Sequence, residues 1–124
     1  MEYFRELKIN KSEQDLHQQL TLANLGKFCT EIFNLEDPSK TESQIGGIWG
    51  EFTLSRSQIK GGVRFALLEC PNALCWTITT GHPPNPESVF IHLTINRLEK
   101  EEEFIKEIID LLDDLELNLR GFLQ

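Results

Sequence analysis

Val63-Arg64-Phe65-Ala66-Leu67-Leu68-Glu69-Cys70-Pro71-Asn72-Ala73-Leu74-Cys75-Trp76-Thr77-Ile78-Thr79 is the stretch on which the fold turns. Val63, Phe65 and Leu67 alternate with Arg64, Ala66 and Leu68, and Trp76 and Ile78 alternate with Cys75, Thr77 and Thr79. A period of two is the mark of a strand with one face buried, and the Pro71-Asn72 break reads as a turn. The spacing predicts a hairpin in which Cys70 and Cys75 are cross-strand partners, a register that also pairs Leu68 with Thr77 and Ala66 with Thr79.

Outward from this hairpin the same period holds. Ile48, Phe52 and Leu54 alternate with Trp49, Glu51 and Thr53, and Val89, Ile91, Leu93 and Ile95 with Phe90, His92 and Thr94. With breaks at 55–62, 71–74 and 81–87, four strands pair as an antiparallel meander, because no connection is long enough for a parallel crossover. Residues 3–9 add a short first strand, with Tyr3, Leu7 and Ile9 on one side and Phe4, Glu6 and Lys8 on the other. Ser12 followed by Asp15 reads as a helix start, and Leu16, Leu20, Ala23, Leu25, Cys29, Ile32 and Phe33 keep helical spacing, so a helix is expected over 13–34. Gly26 weakens its middle and Glu36-Asp37-Pro38 ends it. From 99 to about 119, Phe104, Ile108, Leu111, Leu115 and Leu119 form one apolar stripe of a closing helix. The expected fold is a single α+β domain over 1–124. It is a two-layer sandwich: a four- to five-stranded antiparallel meander with an N-terminal and a C-terminal helix on one face.

Composition narrows the function. Twelve Lys and Arg against twenty Asp and Glu leave −8, which argues against a general nucleic-acid binder. The charge is local: residues 99–116 hold nine acids and two bases, or −7, so the rest of the chain carries −1. No apolar run approaches the length of a membrane span, and Met1-Glu2-Tyr3-Phe4-Arg5 does not open a secretory signal, so the expected compartment is cytoplasmic. Three cysteines, Cys29, Cys70 and Cys75, do not make a disulfide framework. With Cys29, His82 and His92 as the only helpers, the Cys70 and Cys75 pair falls short of a zinc ligand set, so neither metal nor cofactor is expected. Cys75, His92 and Glu51 share a sheet face, but no oxyanion loop or nucleophile elbow accompanies them, so catalysis is not expected.

Three surfaces remain. The sheet face away from the helices carries Trp49, Arg64, Thr77, Phe90 and His92, an aromatic and threonine surface of the kind a partner or ligand covers. The closing helix presents Glu107, Asp110, Asp113 and Asp114. The last three lie toward a helix C-terminus that disfavours anions, which points to contact with a basic protein. The loop end of the sheet gathers Arg56, Lys60, Arg64 and His82 near Gly61-Gly62, a place for a small anion. The order of helix, meander and closing helix resembles the frataxin-like layout and several small bacterial immunity proteins. A frataxin-type protein would carry its acidic ridge on the first helix, which here is nearly balanced in charge. The expected function is therefore a non-enzymatic protein-binding module, in its sharpest form an acidic inhibitor or immunity-type protein for a basic partner. The alternative is a small-molecule or anion-binding protein, or a minor enzyme, that uses the open sheet face and the loop end near Arg56, Lys60, Arg64 and His82. A concave pocket behind Trp49 and His92 would favour a ligand and a flat face a protein, while free sheet edges leave a homodimer open.

Overall fold

The computed structural model describes residues 1–81, 87–96 and 102–123. One antiparallel sheet of seven strands, in the order β1-β7-β6-β5-β4-β3-β2, forms one layer. The strands are β1 (Glu2–Leu7), β2 (Ile32–Asn34), β3 (Glu42–Gly47), β4 (Gly50–Ile59), β5 (Gly62–Leu67), β6 (Cys75–Thr80) and β7 (Val89–Thr94). Strands β2 to β7 run as a meander, and β1 closes the far edge by pairing with β7, Phe4 opposite His92. The helices are α1 (Glu13–Gln19), α2 (Leu25–Phe28) and the long α3 (Glu102–Leu123), with a 3-10 turn at Leu22–Asn24. Helix α1 packs against β5 and β6, and α3 against α2 and β1. Between the layers Leu16, Leu20, Leu25 and Phe28 meet Phe65, Trp76, Ile78 and Ile91, all buried, with Leu111, Leu115 and Leu119 of α3 in the same core.

The α+β class and the antiparallel sheet agree with the sequence reading; the strand count and the first helix do not. The helix expected over 13–34 is three short pieces followed by strand β2. Ser12 caps α1 through a reciprocal pair of hydrogen bonds with Asp15. Leu20 then leaves helical geometry, and Thr21 caps the 3-10 turn by accepting from the Asn24 N–H. Leucines at helical spacing reach the core from broken segments as readily as from a continuous helix, so periodicity could not detect the break. Ile32 pairs with Gly47, and a side chain there would not fit, since a Cβ on Gly47 would lie 2.9 Å from Ile32 Cγ2. The glycines of β3 thus admit β2 to the sheet edge.

The strand expected at 48–54 straddles a tight turn instead. Gly47 pairs with Gly50 and leaves Ile48 and Trp49 at the tip. Strand β4 runs on to Ile59 through Ser55-Arg56-Ser57-Gln58, which its polarity had marked as loop. The β5–β6 hairpin pairs Ala66, rather than Cys70, with Cys75. The slip from the expected register is an even number of positions, so face assignments survive it: Arg64, Thr77, His92 and Phe4 form one row on the outer face.

Candidate ligand cavity

On the helix side of the sheet lies a cavity of about 230 Å³. Phe52 of β4 and Leu67 of β5 form its floor, the hairpin loop contributes Cys70, Pro71, Asn72 and Leu74, and Phe104 comes from the first turns of α3. Trp49, at the β3–β4 turn, covers it: the Trp49 and Phe104 ring centroids are 5.8 Å apart and tilted by 52°. The Trp49 indole Nε1 is buried and has no acceptor among the described residues. Backbone hydrogen bonds tie the wall together. Leu67 N–H donates to Leu74 O at 3.0 Å, Ala73 N–H to Cys70 O at 3.0 Å, and Asn96 N–H to Asn72 O at 2.9 Å. The Glu69 carboxylate ties the hairpin to β4, accepting from Thr53 N at 2.8 Å and Thr53 Oγ1 at 3.1 Å. Among the described residues Cys70 is the one nucleophilic side chain that lines the cavity, with neither a histidine nor a carboxylate beside it.

Trp49 was expected beside Phe90 and His92 on the outer face; the turn carries it to the helix side instead. Phe90 and His92 do share the outer face with Phe4, Thr77 and Thr79, in an open depression of about 420 Å³. The His92 ring stacks on Phe4 with centroids 4.2 Å apart and 3° between planes, and Nε2 lies 3.0 Å from Glu2 Oε1. Cys75, His92 and Glu51 are not assembled. Cys75 Sγ contacts Thr94 Oγ1 at 3.3 Å, His92 is engaged by Glu2, and Glu51 sits three strands away on β4, roughly 14 Å. Burial pushes the Cys29 thiol up to about 12, so it holds its proton and is no nucleophile.

Asp110, Asp113 and Asp114 of α3 have partners within the fold. Asp114 accepts from Thr30 N at 2.7 Å, Glu31 N at 3.2 Å and the Thr30 hydroxyl, bridging α3 to the segment entering β2. Burial opposes its ionisation, but these bonds outweigh the cost and hold the carboxyl below its ordinary value. Asp113 pairs with Arg5 at 2.9 Å and Asp110 with Lys106 at 3.4 Å, while Glu107 is half-buried on the same helix. Backbone amides and Arg5 therefore account for acids that the helix dipole alone would disfavour.

The cationic cluster is broken up. Arg56 lies on the inner face, 9% exposed, with Nε donating to Leu20 O at 2.6 Å and Nη2 to His17 O at 2.7 Å. Arg64 is on the outer face and Lys60 in the β4–β5 turn, while His82 lies outside the described residues. Gly61 takes φ +92 in that turn, which explains the glycine pair without an anion. Among the described residues no group of His, Cys, Asp and Glu is placed to hold a metal, and no helix is long and apolar enough to cross a membrane.

No family model and no curated protein matches the sequence. Solved structures do match it. Protein XoxI from Bacillus cereus aligns with a TM-score of 0.66 at 14% identity, over 99% of this chain and 96% of that one. A START superfamily protein from Mycobacterium smegmatis aligns with a TM-score of 0.61 at 10% identity, over 98% and 96%. An AHSA1-like protein from Aeromonas hydrophila aligns with a TM-score of 0.52 at 9% identity, over 98% and 93%. At such identities the likeness is one of fold alone: the chain, an α+β domain with a single antiparallel sheet, is similar in fold to these structures.

Proposed function

We propose that the protein binds a small apolar molecule in the cavity beneath Trp49 and Phe104, without transforming it. The observation that carries this reading is the partly open, aromatic-lined volume of about 230 Å³. A core cavity of about 150 Å³ holds benzene, so this one suits a molecule of one substituted ring or two fused rings. The START superfamily protein among the structures of similar fold is compatible with a binding role. Contact between α3 and a basic protein loses its motive, since Asp113 and Asp114 are engaged within the fold, and the comparisons lend the immunity-type reading no support.

Naphthalene and indole are the probes for a test by thermal unfolding and by the Trp49 indole N–H resonance. Cys70→Phe is the blocking variant, because Cys70 is half-buried at the cavity wall and its replacement fills the space without removing a core residue. The expected result is a saturable rise in Tm with the native protein and none with Cys70→Phe. Binding that survives Cys70→Phe, or no binding by either probe, would refute the reading.

A further inference from the structure

A second cavity lies toward the other end of β4. Phe52, which floors the first, and Arg56 are both on the inner face and four residues apart, roughly 13 Å along the strand. Arg56 lines a cleft of about 350 Å³ between the end of α1 and the segment joining β2 to β3. Its bonds to Leu20 O and His17 O satisfy carbonyls that the last turn of α1 leaves without helical partners. That role uses two of the five guanidinium donors. Among the described residues no carboxylate lies within ion-pair distance of Arg56, and its Nη1 donates to none of them. The residue as a whole is 9% exposed, with no counter-ion among the described residues, and burial pushes its guanidinium down from its usual value, while Nη1 is not among the buried unpartnered atoms and so is open to the cleft.

The rest of the cleft supplies what an organic anion needs. Exposed Lys40 adds a second cation at the rim, and Leu22, Ala23 and Pro38 form an apolar wall. The acids nearest in sequence, Glu36, Asp37 and Glu42, line a separate depression that shares only Ser39 with the cleft. We propose that this cleft binds a small organic carboxylate. Arg56 receives the anion on its uncommitted Nη1, Lys40 holds it at the rim, and the apolar wall covers its body. A carboxylate fits the planar donors of one buried guanidinium, with Lys40 as an exposed cation at the rim, whereas a phosphate calls for a denser set of donors. The site is distinct from the Trp49 cavity and does not depend on what binds there.

The test is an NMR titration of the whole protein with benzoate, with benzyl alcohol as the neutral analogue and inorganic phosphate as the bare anion. The reporters are the Arg56 Nε–H resonance and the amides of Leu22 and Ala23. Lys40→Glu reverses the rim charge at an exposed position, and Ala23→Phe obstructs the cleft from an exposed position without touching a charge. Saturable shifts at the reporters with millimolar benzoate, weakened several-fold by Lys40→Glu and abolished by Ala23→Phe, are the expected result. The assignment is overturned if benzoate gives no saturable shift there, or shifts only the Trp49 indole. It is equally overturned if either variant leaves the affinity unchanged, or if benzyl alcohol or phosphate binds as well as benzoate.

Discussion

Replacing Asp114 with Asn decides whether the acids on α3 hold the fold together or face outward for another purpose. The carboxylate accepts four hydrogen bonds, from Thr30 N, the Thr30 hydroxyl, Glu31 N and Asn118 Nδ2, the last at 2.8 Å. Hydrogen bonds to a charged group contribute about 1.5–3 kcal/mol each where water is excluded. Here the carboxylate is part-exposed, and Asn keeps one acceptor oxygen while turning an NH2 toward backbone N–H donors. The net loss works out at about 2 kcal/mol, equivalent to a Tm lowered by roughly 6–10 °C in a chain of this size. The pH dependence follows from linkage. A carboxyl whose value is lowered by folding contributes stability above its unfolded value of about 3.9, and that contribution fades as pH falls through the folded value. Urea unfolding followed by circular dichroism should therefore show a constant gap between native protein and Asp114→Asn from about pH 5 to about pH 8, narrowing below about pH 4. Asp110→Asn is the control, since its exposed pair with Lys106 should contribute below about 0.5 kcal/mol. An Asp114→Asn protein within about 0.5 kcal/mol of native, or a gap undiminished at about pH 3, would refute the reasoning.

Three other outcomes are expected. Gly62→Ala would place a Cβ 2.0 Å from the Ile78 carbonyl oxygen, so unfolding should show a loss above about 3 kcal/mol, whereas Gly26→Ala, with open space around it in α2, should be neutral or stabilising by about 0.5–1 kcal/mol. Ser12→Ala removes one half of the reciprocal cap of α1 and should cost about 1 kcal/mol by the same measurement; no change would mean the cap is redundant. With iodoacetamide at mildly alkaline pH, mass spectrometry should find Cys70 and Cys75 alkylated well before Cys29, whose thiol is buried and pushed up to about 12; early loss of Cys29 would contradict that burial.

The alternation of Val63, Phe65, Trp76, Ile78, Ile91 and Leu93 was enough by itself to specify an antiparallel sheet and to sort its two faces, because a period of two survives any even shift of register. The apolar stripe of the closing helix was equally plain, since Ile108, Leu111, Leu115 and Leu119 recur at helical spacing and all are buried. Local pattern could not supply the rest. Ser55-Arg56-Ser57-Gln58 reads as loop until Arg56 is seen satisfying the carbonyls of a helix 36 residues away in sequence from its Leu20 contact. Trp49 reads as strand until Gly47 and Gly50 pair and turn it onto the helix side. Asp114 reads as a surface acid until Thr30 and Glu31 bring their amides to it from 84 and 83 positions away. Periodicity records which way a side chain faces, and that much the chain states residue by residue. The cavity under Trp49, the buried charge of Arg56 and the bridge from Asp114 depend on contacts between segments far apart in sequence, so they came into being only when helices and sheet packed together.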